Sequence, residues 1–101
     1  MDVLANVKLV KFPELDEVDL GLFNTALAHF FKRVGDGVTL QLSLKEYNKG
    51  GLRAQHEIHA TAVLNGDKFF AEHTDWLLLE VVQHVLKTLE KEIKKKESLK
   101  N

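Results

Sequence analysis

The sequence predicts an α+β fold in the order β-α-β-β-β-α, with two helices packed on one face of a four-stranded, mostly antiparallel sheet. Three observations carry this. Val38, Leu40, Leu42 and Leu44 alternate strictly with polar residues, the period of a strand with one buried face. Leu78, Val82, Val85, Leu89 and Ile93 recur at steps of three and four, and Val81 and Leu86 widen the stripe, which is the spacing of a helix with one apolar face. Turn signals at Asp36-Gly37, Asn48 to Gly51 and Asn65-Gly66-Asp67 divide the middle of the chain into hairpin-connected segments.

Taken in order, Val3 to Phe12 reads as a strand, with Ala5, Val7 and Leu9 on one side and Asn6 and Lys8 on the other, stopped by Pro13. Asp16 or Asp19 is placed to cap the helix that follows. Its apolar residues from Leu20 fall at Phe23, Ala26, Leu27, Phe30, Phe31 and Val34, and Gly35 ends it. Glu14, Asp16, Glu17 and Asp19 gather at its start and Lys32 and Arg33 at its end, the arrangement a helix dipole favours. The strand over Val38 to Lys45 comes next. Leu52 to Leu64 is a second long strand, with Ala54, His56, Ile58, Ala60 and Ala62 on one face and Arg53, Gln55, Glu57, His59 and Thr61 on the other. Lys68 to Glu72 is a short strand closing the meander, and Thr74 or Asp75 caps the last helix, which runs from Asp75 to Lys96 with Trp76 in its first turn. The first strand pairs at an edge or beside one of the meander strands. The sheet face opposite the helices is left polar and open.

A chain of 101 residues suits one domain, residues 1–101, with 97–101 a frayed basic tail. The 45% hydrophobic and 29% charged content is that of an ordinary globular protein. No cysteine is present, which excludes a disulfide framework, a thiolate zinc site and a cysteine nucleophile. The N-terminal segment lacks the pattern of a signal peptide and no apolar run is long enough to span a bilayer, so a cytoplasmic location is expected. The net charge of −1 conceals a gradient: from Lys87 onward Lys87, Lys91, Lys94, Lys95, Lys96 and Lys100 outnumber Glu90, Glu92 and Glu97. On charge alone this end is a solvated helix tail. Lys91, Lys94 and Lys95 nevertheless recur along one side of the helix, where they could straddle a phosphate backbone.

Other chemistry finds little support. His56 and His59 are three apart on a strand and point to opposite faces, and His29, His73 and His84 are scattered, so no metal site is expected. No glycine-rich loop leads from a strand into a helix, and no nucleophile stands beside a base, so neither a cofactor nor a catalytic residue is assigned. Glu57 with His59, and Ser43 with Lys45, read as neighbours on an exposed sheet. Trp76 reads as an anchor of the last helix to the core, with Leu77 and Leu79 leaving some apolar surface for a partner.

VTLQLSLKEYNKGG (Val38 to Gly51) and AEHTDWLLLEVVQHVLKTLEKEIKKKE (Ala71 to Glu97) resemble the second strand with its hairpin loop and the closing helix of the bacterial ribosome hibernation-promoting factors, also known as ribosome-associated inhibitors or sigma modulation proteins. Within the second stretch, Leu89-Glu90-Lys91-Glu92-Ile93-Lys94-Lys95 is similar to that family's recurring basic segment. The likeness covers nearly the whole chain, and the family's β-α-β-β-β-α fold, a double-stranded-RNA-binding-domain-like arrangement, is the order read above from periodicity. The resemblance implies a non-enzymatic stress factor that binds the small ribosomal subunit and silences translation by occluding the tRNA and mRNA sites. It implies ribosomal RNA contacts from Lys91, Lys94 and Lys95, with Lys87, Lys96, Lys45 and Arg53 as looser matches and Lys32 and Arg33 at the end of the first helix. The long C-terminal extension that some members use to pair ribosomes has no counterpart in these residues, so the resemblance implies a short form. Two departures stand out: Asp75-Trp76-Leu77-Leu78-Leu79 differs from the family's usual opening of the closing helix, and Glu14, Glu17 and Asp19 occupy positions where a ribosome binder would carry lysine. Each missing cation weakens RNA binding, which rests on phosphate contacts and counterion release.

Two further readings stay open. The fold could serve as a protein-interaction module, homodimeric through Trp76 to Leu79, without RNA. A small enzyme built on His59 and Glu57 would require an apolar pocket converging on them.

Overall fold

In a computed structural model, residues 6–51 and 53–99 are described. The element order is β1 (Val7–Val10), α1 (Glu17–Val34), β2 (Thr39–Asn48), β3 (Ala54–Leu64), β4 (Asp67–Asp75) and α2 (Leu78–Leu99). The sheet runs β1-β2-β3-β4, with β1 parallel to β2 and the other pairs antiparallel. A parallel pair requires a crossover, and α1 supplies it. The predicted architecture is therefore the observed one.

Local chemistry explains most boundaries. The Asp16 carboxylate accepts from the Asp19 backbone N–H at 2.8 Å, so α1 begins at Glu17, one turn before the first apolar residue of its stripe. Gly35, at φ 96°, ends the helix while its N–H donates to the Phe31 carbonyl at 2.8 Å. Asn65 and Gly66, at φ 53° and 83°, are both left-handed, as a two-residue hairpin turn of matching twist requires.

The core lies between the sheet and the helices. Phe23, Leu27 and Phe30 of α1 and Val81, Val82, Val85, Leu89 and Ile93 of α2 are buried against Leu40, Leu42 and Leu44 of β2, Ile58, Ala60 and Ala62 of β3 and Phe69 of β4. Among the described residues, no helix covers the opposite sheet face. Alternation puts Thr39, Gln41 and Lys45 of β2, Glu57, His59 and Thr61 of β3, and Lys68, Phe70 and Glu72 of β4 on that side.

Several boundaries differ from the sequence reading. β1 ends at Val10, because Lys11 takes a positive φ of 61° that breaks the strand before Phe12. The expected start at Val3 and the inward Ala5 fall outside the described residues, as does Leu52, and β3 begins at Ala54. β4 is nine residues long, not five, and stays paired to β3 as far as His56 opposite Asp75. Thr74 and Asp75 are therefore strand residues and not caps, and α2 starts at Leu78. Trp76 and Leu77 form the connection before it. Trp76 does not anchor the helix in the core, for it is 38% exposed with the Arg53 guanidinium 4.4 Å from its ring centre. α2 runs on to Leu99, through the first residues of the segment expected to fray. Among the described residues, no helix is long and apolar enough to cross a membrane.

Candidate nucleic-acid interface

The two helices meet along a groove that faces away from the sheet. Lys87, Lys91 and Lys94 are spaced by four and three residues, so they share one side of α2. At 1.5 Å per residue their row spans about 10 Å. His29 and Arg33, four apart on α1, line the opposite wall. Together with Ala26, Phe30 and Leu86 at its apolar floor, they enclose an open trough of about 900 Å³.

Among the described residues, Glu90 is the one carboxylate that lines it, set against Arg33, Lys87, Lys91 and Lys94. Arg33 Nη1 lies 3.4 Å from Glu90 Oε1, an ion pair that ties α1 to α2. Arg33 is 61% exposed, so the pair is screened by solvent and adds little to stability. His84 closes one end of the trough and stacks on His73 of β4, with ring centres 3.7 Å apart and planes 14° from parallel. Such an array can hold anionic oxygens by point charge and hydrogen bonding, with the apolar floor beneath.

Of the nine cations that the family resemblance implies as RNA contacts, the fold brings four to this groove: Arg33, Lys87, Lys91 and Lys94. The other five lie elsewhere. Lys96 Nζ sits 3.3 Å from Asp67 Oδ1, beside the turn between β3 and β4. Lys95 and Lys32 are exposed on their helices but do not line the trough. Lys45 lies on the open sheet face as the cross-strand partner of Glu57, and Arg53 covers Trp76. Sequence reasoning missed His29 and His84 as members of the same trough. The repeat of His29 and Arg33 at four residues, just off the buried stripe of α1, is the signal that could have paired them with Lys87 and Lys91.

The polar cluster of Glu57 and His59 is built differently. The Tyr47 hydroxyl donates to Glu57 Oε1 at 2.8 Å and the Thr74 hydroxyl to Oε2 at 3.4 Å. His59 Nε2 lies 3.4 Å from Glu57 and its Nδ1 lies 3.2 Å from Glu72. The Tyr47 hydrogen bond holds the Glu57 carboxyl below the usual carboxylate range, partial burial opposes this, and His59 and Thr74 add to the lowering. The same contact raises the Tyr47 hydroxyl above its ordinary value. Both effects suit a carboxylate held ionised by its neighbours on an open sheet. Among the described residues, no group of three or more His, Asp or Glu side chains is placed to hold a metal ion.

No family model matches the chain, and no curated protein matches it in sequence. Solved structures do. The crystal structure of the Thermus thermophilus Protein Y N-terminal domain aligns at a TM-score of 0.66 and 18% identity, over 88% of this chain and 93% of that one. A ribosomal subunit interface protein from Coxiella burnetii aligns at a TM-score of 0.66 and 14% identity, over 91% of this chain and 97% of that one. At such identities the likeness shows a shared fold.

Proposed function

We propose that this chain is a non-catalytic, ribosome-associated factor of the hibernation-promoting family, which grips small-subunit ribosomal RNA in the trough between α1 and α2 and blocks translation by occupancy. The observation that carries this is the convergence of Arg33, Lys87, Lys91 and Lys94 on one trough with, among the described residues, a single carboxylate, in a protein whose net charge is −1. The fold shared with Protein Y's N-terminal domain and with a ribosomal subunit interface protein supports the same reading. So does the Leu89 to Lys95 segment that resembles the family's closing helix. A cytoplasmic location follows from the partner.

Four cation–phosphate contacts make a quantitative forecast. Each neutralised phosphate contributes roughly 0.7–0.9 to the salt slope, so four give a slope of about −3 and a loss of about a hundredfold in affinity between about 50 and 200 mM salt. Sedimentation of the purified protein with small ribosomal subunits across that range is the test. Co-migration that fades at this slope supports the reading. Absence of co-migration at low salt, or binding indifferent to salt, contradicts it.

A rival reading takes its support from Leu77, which is 61% exposed beside Trp76. It makes the chain a protein-interaction module, homodimeric through that corner, and predicts a concentration-dependent mass by light scattering.

A further inference from the structure

The open sheet face has a feature that the helix trough does not explain. Phe70 is 66% exposed on β4, while its neighbour Phe69 faces the core. A phenyl ring left mostly in water on a sheet face recovers little of its transfer free energy from folding. The strand register places it in a row that crosses all four strands: Lys8 is opposite Gln41, Gln41 opposite Thr61, and Thr61 opposite Phe70. In the adjoining row Thr39 is opposite Val63, which is opposite Lys68. These side chains line one shallow cleft of about 580 Å³.

The chemistry of that cleft is specific. Neighbouring strands lie about 4.8 Å apart, so Lys8 and Phe70 stand at the two ends of a row about 14 Å long, and Lys68 adjoins Phe70 on the same face of β4. Among the described residues, no acidic side chain lines the cleft, although the chain as a whole is slightly acidic. Glu72, the next outward residue on β4, is engaged by His59 at 3.2 Å. An exposed aromatic ring, a cation at either end, and Gln41, Thr39 and Thr61 between them are the parts of a surface on which unpaired bases stack while phosphates meet lysine. A peptide adding itself to a sheet would use the backbone of an edge strand, not a face furnished in this way.

We infer that the open sheet face is a second binding surface, for a single-stranded RNA segment, with Phe70 stacking on a base and Lys8 and Lys68 meeting the flanking phosphates. It lies on the side of the sheet opposite the helices. A strand bound here is therefore separate from one held in the trough, and the inference does not depend on a ribosomal partner.

Fluorescence anisotropy with labelled hexauridylate and hexaadenylate at low salt, using the full chain, tests it. Stacking on one ring is worth enough that Phe70→Ala should weaken binding by roughly tenfold or more, while Phe70→Trp retains it. Lys8→Ala combined with Lys68→Ala should reduce the salt slope by about 0.7 per lysine. Phe70→Ala should weaken hexamer binding by a similar factor in the wild-type and in the Lys91→Glu with Lys94→Glu backgrounds, which separates this surface from the trough. An RNA duplex of equal length should bind more weakly, because its bases are already stacked. Hexamer affinity unchanged in Phe70→Ala, no binding by the wild-type chain, or loss only in the Lys91 and Lys94 variant would each overturn the inference. Phe70 is exposed, so circular dichroism of the alanine variant should match the wild type, and a lost fold would shift the test to the two-lysine variant.

Discussion

Glu57 is the residue whose acid–base behaviour the fold alters most clearly. Its carboxylate accepts from Tyr47 at 2.8 Å and from Thr74 at 3.4 Å, with His59 alongside. Because its folded pKa is lowered, the stability it contributes is present above the unfolded carboxylate value and is lost as pH falls through the folded one. Tyr47 works in the opposite sense: its pKa is raised, so its contribution is present below the ordinary phenol value and is lost as pH rises through the folded one. Tyr47→Phe should move the Glu57 carboxyl up toward its ordinary value, which a side-chain NMR titration would read. An unmoved titration would show that Tyr47 is not the main cause. Sequence alone placed Glu57 and His59 on one open face. It did not reach Tyr47, because that contact depends on a register in which Tyr47 sits opposite Gln55 and diagonal to Glu57.

At the scale of elements, α2 holds the two layers together. Val85, Leu89 and Ile93 have no exposed surface, so Leu89→Ala should cost about 2–5 kcal/mol in urea denaturation. Leu99→Ala, at the exposed end of the same helix, should stay within about 0.5 kcal/mol. Equal effects would mean that the stripe is not the packing face. Arg53→Ala should uncover Trp76 and raise its quenching by iodide, and an unchanged quench would contradict the contact. The stripe of α2 was legible because seven apolar residues repeat at one period. The start of α2 was not. The inward positions at the end of β4 are His73 and Asp75, whose polarity hides the alternation, and pairing with β3 prevails over the capping tendency of Asp75. Lys11 likewise ends β1 through a backbone angle that no hydropathy pattern records.

The whole molecule separates its charge by side. The trough between the helices gathers cations, the open sheet face carries a smaller basic cleft at one end, and Glu57 and Glu72 lie beyond that cleft around His59. The lysine-rich end was plain from the sequence, but a helix presents its residues all round. Only the position of α1 shows which side of α2 forms a wall. That is why Lys91 and Lys94 enter the trough while Lys95 stays outside it and Lys96 turns to Asp67. On the reading proposed above, this trough, and not the basic tail as such, binds ribosomal RNA. Two charge-reversal pairs with the same change in net charge test it most directly: Lys91→Glu with Lys94→Glu, against Lys95→Glu with Lys96→Glu, each sedimented with small ribosomal subunits at low salt. The Lys96 pair with Asp67 is exposed, so its loss should not unfold the chain. Release of the first variant with retention of the second is expected, and equal behaviour of the two would show that the trough is not the RNA-binding surface.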